Sequence, residues 1–96
     1  MIQHVVFFKF KPETTDEQID AIADGLSGLP DSIEEVRGFV FGRDVIRSER
    51  SYDFALVSTF DDLEALDRYQ VHPEHQKVVA LVKAAAESVV AVDFEI

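Results

Sequence analysis

The chain has 96 residues, 47% of them apolar, and no cysteine. That composition makes a globular fold and excludes disulfide and thiolate chemistry. A formal charge of −10 repels phosphate backbones and anionic headgroups, so neither nucleic acid nor a membrane is an expected partner.

The length fits one domain over residues 1–96. Met1 to His4 carry no basic region, and Lys9 and Lys11 interrupt the first apolar run, so no signal peptide is read. No apolar run approaches the roughly 20 residues that cross a bilayer. A cytoplasmic protein is the expectation.

Residues 2–11 predict a strand, rich in β-branched and aromatic residues and stopped by Pro12. One face carries His4, Val6, Phe8 and Phe10. The other carries Val5 and Phe7 before Lys9 and Lys11. Both faces are apolar through the first half, unlike a half-solvated strand. Thr14 with Glu17 predicts a capping box. Ile19, Ile22, Ala23 and Leu26 follow on one helical stripe, which Gly28 and Pro30 end. Residues 31–35 read as an acidic turn. A second strand is predicted over 36–43, with Val45 and Ile46 as a candidate extension. A third covers 52–60, with Phe54, Leu56, Ser58 and Phe60 on one face and Ala55, Val57 and Thr59 on the other.

Asp61 and Asp62 predict the cap of a second helix through Tyr69, with Leu63 and Leu66 toward the core. Pro73 opens a further helix. Its apolar stripe holds His75, Val78, Val79, Val82, Ala85 and Ala86. Residues 88–96 form a last strand, with Val89 and Ala91 on one side and Val90, Val92, Phe94 and Ile96 on the other.

The order β-α-β-β-α-β is the ferredoxin-like α+β arrangement: a four-stranded antiparallel sheet with helices on one face. Right-handed crossovers place both helical layers on the same side. The opposite face then carries Val5, Phe7, Ala55, Val57, Val90, Val92 and Phe94. A lone subunit rarely leaves so large an apolar surface in water. The expectation is a homodimer about a two-fold axis, its two sheets packed into a dimeric α/β barrel.

Chemistry concentrates between Tyr69 and His75, where a phenol and two imidazoles fall within seven residues. The residue before Pro73 is pushed out of helical geometry, so a helix ends near Val71. Tyr69 then ends one helix and His75 lies in the first turn of the next, where both side chains can point at one spot. The helix N-terminus disfavours imidazolium, and a neutral His75 would suit a general base. Tyr69 could donate to a carbonyl and steady an enolate. The plainer alternative is a polar corner in which the two only hydrogen-bond each other or the backbone. His4 lies on an inward strand face, as core or pocket wall, and His72 reads as an exposed helix-start residue. His72 and His75 are three apart, but Pro73 spoils the helical face that a metal-binding pair would use, so no metal is expected. There is no Gly-rich phosphate loop and no axial-ligand pattern, so no cofactor is expected.

The run His4-Val5-Val6-Phe7-Phe8-Lys9-Phe10-Lys11, the Gly42-Arg43-Asp44-Val45 turn, the strand from Tyr52 to Phe60 and the Tyr69–His75 corner resemble the stress-responsive dimeric A/B barrel (Dabb) domain family. The resemblance spans essentially the whole chain. It implies a homodimer and a pocket between sheet and helices. The sequence is also similar to the family's plant polyketide cyclases, which close a ring by intramolecular aldol chemistry without cofactor or metal. That similarity carries a working tyrosine and histidine onto Tyr69 and His75 and a pocket histidine onto His4. It makes Val6, Phe8, Ile22, Leu26, Leu56, Val78 and Val79 the pocket wall. Phe54 stands where those cyclases have a histidine, and Ala86 where they have a tryptophan. The resemblance therefore implies binding of a small, largely apolar carbonyl compound, with acid–base chemistry as an extension. The alternatives are a non-catalytic structural or ligand-binding dimer and a cofactor-free monooxygenase. Phe8, Phe10 and Phe41 are large enough to fill the pocket instead.

Overall fold

The computed structural model spans residues 1–96. Its elements run β1 (Ile2–Phe10), α1 (Asp16–Ser27), α2 (Leu29–Ser32), β2 (Gly38–Arg43), β3 (Phe54–Phe60), α3 (Leu63–Val71), α4 (Pro73–Ala85) and β4 (Ala86–Glu95). The strands form one antiparallel sheet in the order β2-β3-β1-β4. This is the ferredoxin-like fold.

The register sets which side chains share a face. His4 lies between Ser58 of β3 and Asp93 of β4, and Val6 between Leu56 and Ala91. The alternation in β1 and β3 sends His4, Val6, Phe8 and Phe10 inward with Phe54, Leu56, Ser58 and Phe60, and all eight are buried. Val5 pairs with Val57 and Val92, and Phe7 with Ala55 and Val90, so these share the outer face. Val40 joins them through its pairing with Val57. In the single chain that face is open: Phe7 is 41% exposed, Val92 64% and Val40 64%.

Local chemistry moves several boundaries. The capping box of α1 is Thr15 with Gln18, not Thr14 with Glu17. The Thr15 hydroxyl accepts from the Gln18 amide at 3.2 Å, and the Gln18 side chain accepts from the Thr15 amide at 2.9 Å. Thr14 is engaged elsewhere, donating to the Ala85 carbonyl at 2.6 Å and tying the loop to the end of α4. Pro30 does not end the helical region. It sits in the first turn of α2, where its missing N–H is harmless. The turn predicted as acidic contributes Ile33, which is fully buried beside Leu29 in the core. Val45 and Ile46 lie in the exposed β2–β3 loop and do not extend the strand. Leu63 is exposed, because Ala65, Leu66 and Tyr69 define the buried stripe of α3 and Leu63 lies off it. Ala86 is extended and pairs with Phe10, so it opens β4 instead of closing α4.

Helices α1 and α4 pack against each other over the sheet. Gly25 makes the approach possible: a Cβ there would sit 3.0 Å from Cγ2 of Val78. Beyond Phe8, the inner layer is filled by aromatic rings. Phe54 stacks on Phe41 with centroids 6.0 Å apart and meets Phe8 at 5.5 Å and Phe10 at 6.2 Å. Nearer His4 the facing side chains are mainly valine, leucine and alanine, and the layers do not close.

Candidate functional site

That gap is a cavity of about 340 Å³ between the sheet and α4. The size falls within the range of small-molecule sites. His4, Val6 and Phe8 of β1, Leu56 of β3, Leu26 of α1, and Val78 and Val79 of α4 all line it, as do Tyr69 and His75. Ile22 does not: it is fully buried in the core behind the wall. Phe10 and Phe41 lie outside the lining, and Phe8 alone of the three borders the space. Gln70, Val82, Lys83, Val89 and Ala91 complete the wall.

His4, Tyr69, Gln70 and His75 gather at one end of this apolar slot. Asp62 caps α3 by accepting from the Ala65 amide at 2.8 Å, and the helix runs to Val71. His72 is extended, and its Nδ1 accepts from the Glu74 amide at 3.1 Å, so it serves as the N-cap of α4. Its imidazole is thereby committed to the corner. The corner folds His75 back over Tyr69, with ring centroids 4.3 Å apart. Phe60 also packs against Tyr69, with ring centroids 4.8 Å apart. Tyr69 has no solvent exposure.

Each ring's hydrogen bonds assign its free position. The Nδ1 of His75 lies 3.0 Å from the backbone carbonyl oxygen of Gln70. A carbonyl only accepts, so Nδ1 carries the proton and Nε2 is left as a base. The Nδ1 of His4 is hydrogen-bonded to the Asp93 carboxylate, its cross-strand neighbour. The same logic leaves the Nε2 of His4 without a partner in the protein. The His4 ring stands edge-on to Tyr69 at 6.4 Å. The Tyr69 hydroxyl is buried and bonds to nothing. Such an orphan typically costs about 1–3 kcal/mol, so it is a strong pointer to a missing partner.

Burial shapes the acid–base properties. The His75 imidazole is held below its ordinary value, chiefly by desolvation; the Gln70 carbonyl works against this, and His4 and His72 add to it. His75 is therefore neutral near pH 7. Burial alone pushes the Tyr69 phenol well above its ordinary value, so it remains a hydrogen-bond donor. The side chains of a neutral base and a neutral donor thus line one apolar space. Such a pair can remove a proton next to a carbonyl while the phenol holds the oxygen.

Sequence reasoning missed Asp93. A carboxylate in the otherwise apolar run Val89 to Phe94, on the same side as Val89 and Ala91, was the signal available. Gln70 acts through its backbone, which no side-chain pattern announces.

A ferredoxin-like sheet with an open apolar outer face and a cavity beneath its helices defines the class: a small α+β domain of ferredoxin-like fold. The chain belongs to the stress responsive A/B barrel domain (Dabb) family, whose model matches residues 2–96. It is 35% identical over 97 residues to an uncharacterized protein of Streptomyces coelicolor, covering 99% of each chain. It is 28% identical over 76 residues to olivetolic acid cyclase of Cannabis sativa, covering 77% of this chain and 75% of the cyclase. Among solved structures, a dimeric ferredoxin-like protein of unknown function from Thermobifida fusca superposes with a TM-score of 0.91 at 32% identity, over 99% of this chain and 90% of that one.

Proposed function

We propose that the chain acts as a homodimer that binds a small, largely apolar carbonyl compound in the cavity and carries out cofactor-free acid–base chemistry on it. The observation that carries this reading is the Tyr69 hydroxyl, buried without a partner on a side chain that lines an apolar cavity. A ligand carbonyl accepting from that hydroxyl would complete its hydrogen bonding.

The chemistry follows from the assigned protons. The Nε2 of His75 takes a proton from the carbon next to the carbonyl, and the electron pair moves onto the oxygen. Tyr69 donates to that oxygen and stabilises the enolate. In an aldol closure, the enolate carbon then attacks a second carbonyl of the same molecule. The new alkoxide takes up the proton that His75 holds. The similarity to olivetolic acid cyclase supports a ring-closing reaction of this kind.

The dimer is supported by the outer sheet face and by the dimeric Thermobifida protein. Burying one Val or Phe contributes roughly 1.5–3 kcal/mol, so several together outweigh the cost of association.

Titration with a panel of aromatic and medium-chain methyl ketones tests the reading. Binding should shift the Tyr69 and His75 ring resonances, and Tyr69→Phe should weaken it about tenfold, the worth of one hydrogen bond to a buried partner. Ketones that leave both rings unperturbed, or bind the variant equally well, would refute it.

A further inference from the structure

The cavity has a second end. His75, Val78, Val79, Val82 and Lys83 all line it. They are spaced i, i+3, i+4, i+7 and i+8, a single stripe along one face of α4. That stripe begins with an imidazole, continues as three valines, and ends with an ammonium. From His75 to Lys83 is eight helical residues, roughly 12 Å along the axis. The opposite wall agrees. β1 runs from His4 to Phe8 beneath the same stripe, roughly 13 Å of strand. Both elements run the same way, because the end of β1 meets the end of α4: the Lys11 amide donates to the Ala85 carbonyl at 2.9 Å. The space is thus a slot, with acid–base groups at one end and Lys83 at the other.

Lys83 forms no ion pair, although the chain holds 19 acidic side chains against 9 Lys and Arg. Lys11 stands at the same end, its Nζ 3.3 Å from the Ala84 carbonyl oxygen, and it has no carboxylate partner either. A cation in the last turn of α4 complements the helix dipole, and that alone would explain a solvated lysine. It does not explain why this one borders the apolar slot. A lysine lays its methylene stem along apolar walls and keeps the charge at the mouth.

We infer that the ligand is a linear oxo-carboxylate, with its ketone at Tyr69 and His75, an apolar chain along the valines of α4, and its carboxylate on Lys83. The inference rests on the proposed function for the ketone end. The carboxylate end is tested separately.

The test uses oxo-fatty acids of about eight to twelve carbons, matched to the slot, and their methyl esters. Affinity is measured by calorimetry, and ketone placement by the Tyr69 and His75 ring resonances. The native protein should bind the acid about three- to tenfold tighter than the ester, as a partly desolvated ion pair gives. Added salt should erode that preference. Lys83→Arg should keep it, and Lys83→Glu should abolish it, so that the acid binds no tighter than the ester. Lys83 is exposed, so both variants fold. Equal binding of acid and ester, with both ring resonances shifted, would overturn the carboxylate assignment and leave the ketone site standing. A preference that survives in Lys83→Glu would overturn it too. If no probe moves either ring, the ketone site fails and this inference falls with it.

Discussion

The ring of Tyr69 lies 4.3 Å from the ring of His75, centroid to centroid, across the corner made by His72 and Pro73. One ring ends a helix and the other begins the next, so the proline between them sets their separation. Neither ring bonds the other. The His75 Nδ1 is turned to the Gln70 carbonyl, and the phenol is left over. A purely structural corner would satisfy that hydroxyl.

The orphaned hydroxyl therefore separates stability from function. Tyr69→Phe removes an unsatisfied polar atom and preserves the packing against Phe60 and His75. The free protein should become about 1 kcal/mol more stable in denaturant unfolding. The same substitution should weaken ketone binding about tenfold. A loss of stability would mean that the hydroxyl has a structural partner.

His75 makes stability depend on pH in a defined direction. An unfolded imidazole titrates near 6.5, and the folded one titrates lower. Above 6.5 both states are neutral, and the residue adds no pH dependence. As pH falls through 6.5, the unfolded chain takes up a proton that the folded chain does not, so stability declines. The decline stops once pH lies below the folded value. Melting curves across this window should show the slope, and His75→Gln should remove that share of it. The acidic limb of any activity profile should likewise fall below pH 6.5.

The outer sheet face gives a prediction independent of the site. Val92 is 64% exposed in the single chain and pairs with Val5 on the apolar outer face. Val92→Glu should convert a dimer to a monomer in sedimentation, with little change in secondary structure. A native protein that sediments as a monomer, or a variant that remains dimeric, would contradict the assembly.

Much of this was legible in the chain, and the exceptions have physical causes. The two faces of β1 and β3 were legible because successive strand side chains point to opposite sides of the sheet, and Lys9 and Lys11 mark which side of β1 faces away from the helices. The corner at Pro73 was legible from backbone stereochemistry alone. Val40 escaped assignment because Phe39, Val40 and Phe41 are all apolar, and only pairing with Val57 selects its face. Asp93 became a partner of His4 through the register between the first and last strands, a contact across 89 residues. Leu63 was misplaced because the helix phase is fixed by tertiary packing of Ala65, Leu66 and Tyr69. The cavity depends on the volumes of valines and alanines meeting from three elements. No single segment records that sum.

The proposed chemistry turns on one step, in which His75 removes a proton from a ligand carbon next to a carbonyl held by Tyr69. Exchange of the α-hydrogens of a medium-chain methyl ketone in deuterated water, followed by NMR, measures that step without knowledge of the natural substrate. The protein should accelerate exchange over buffer, and His75→Ala should reduce the acceleration by about a hundredfold or more, as loss of a positioned base does. Exchange at the buffer rate, or an acceleration that His75→Ala leaves unchanged, would contradict the account.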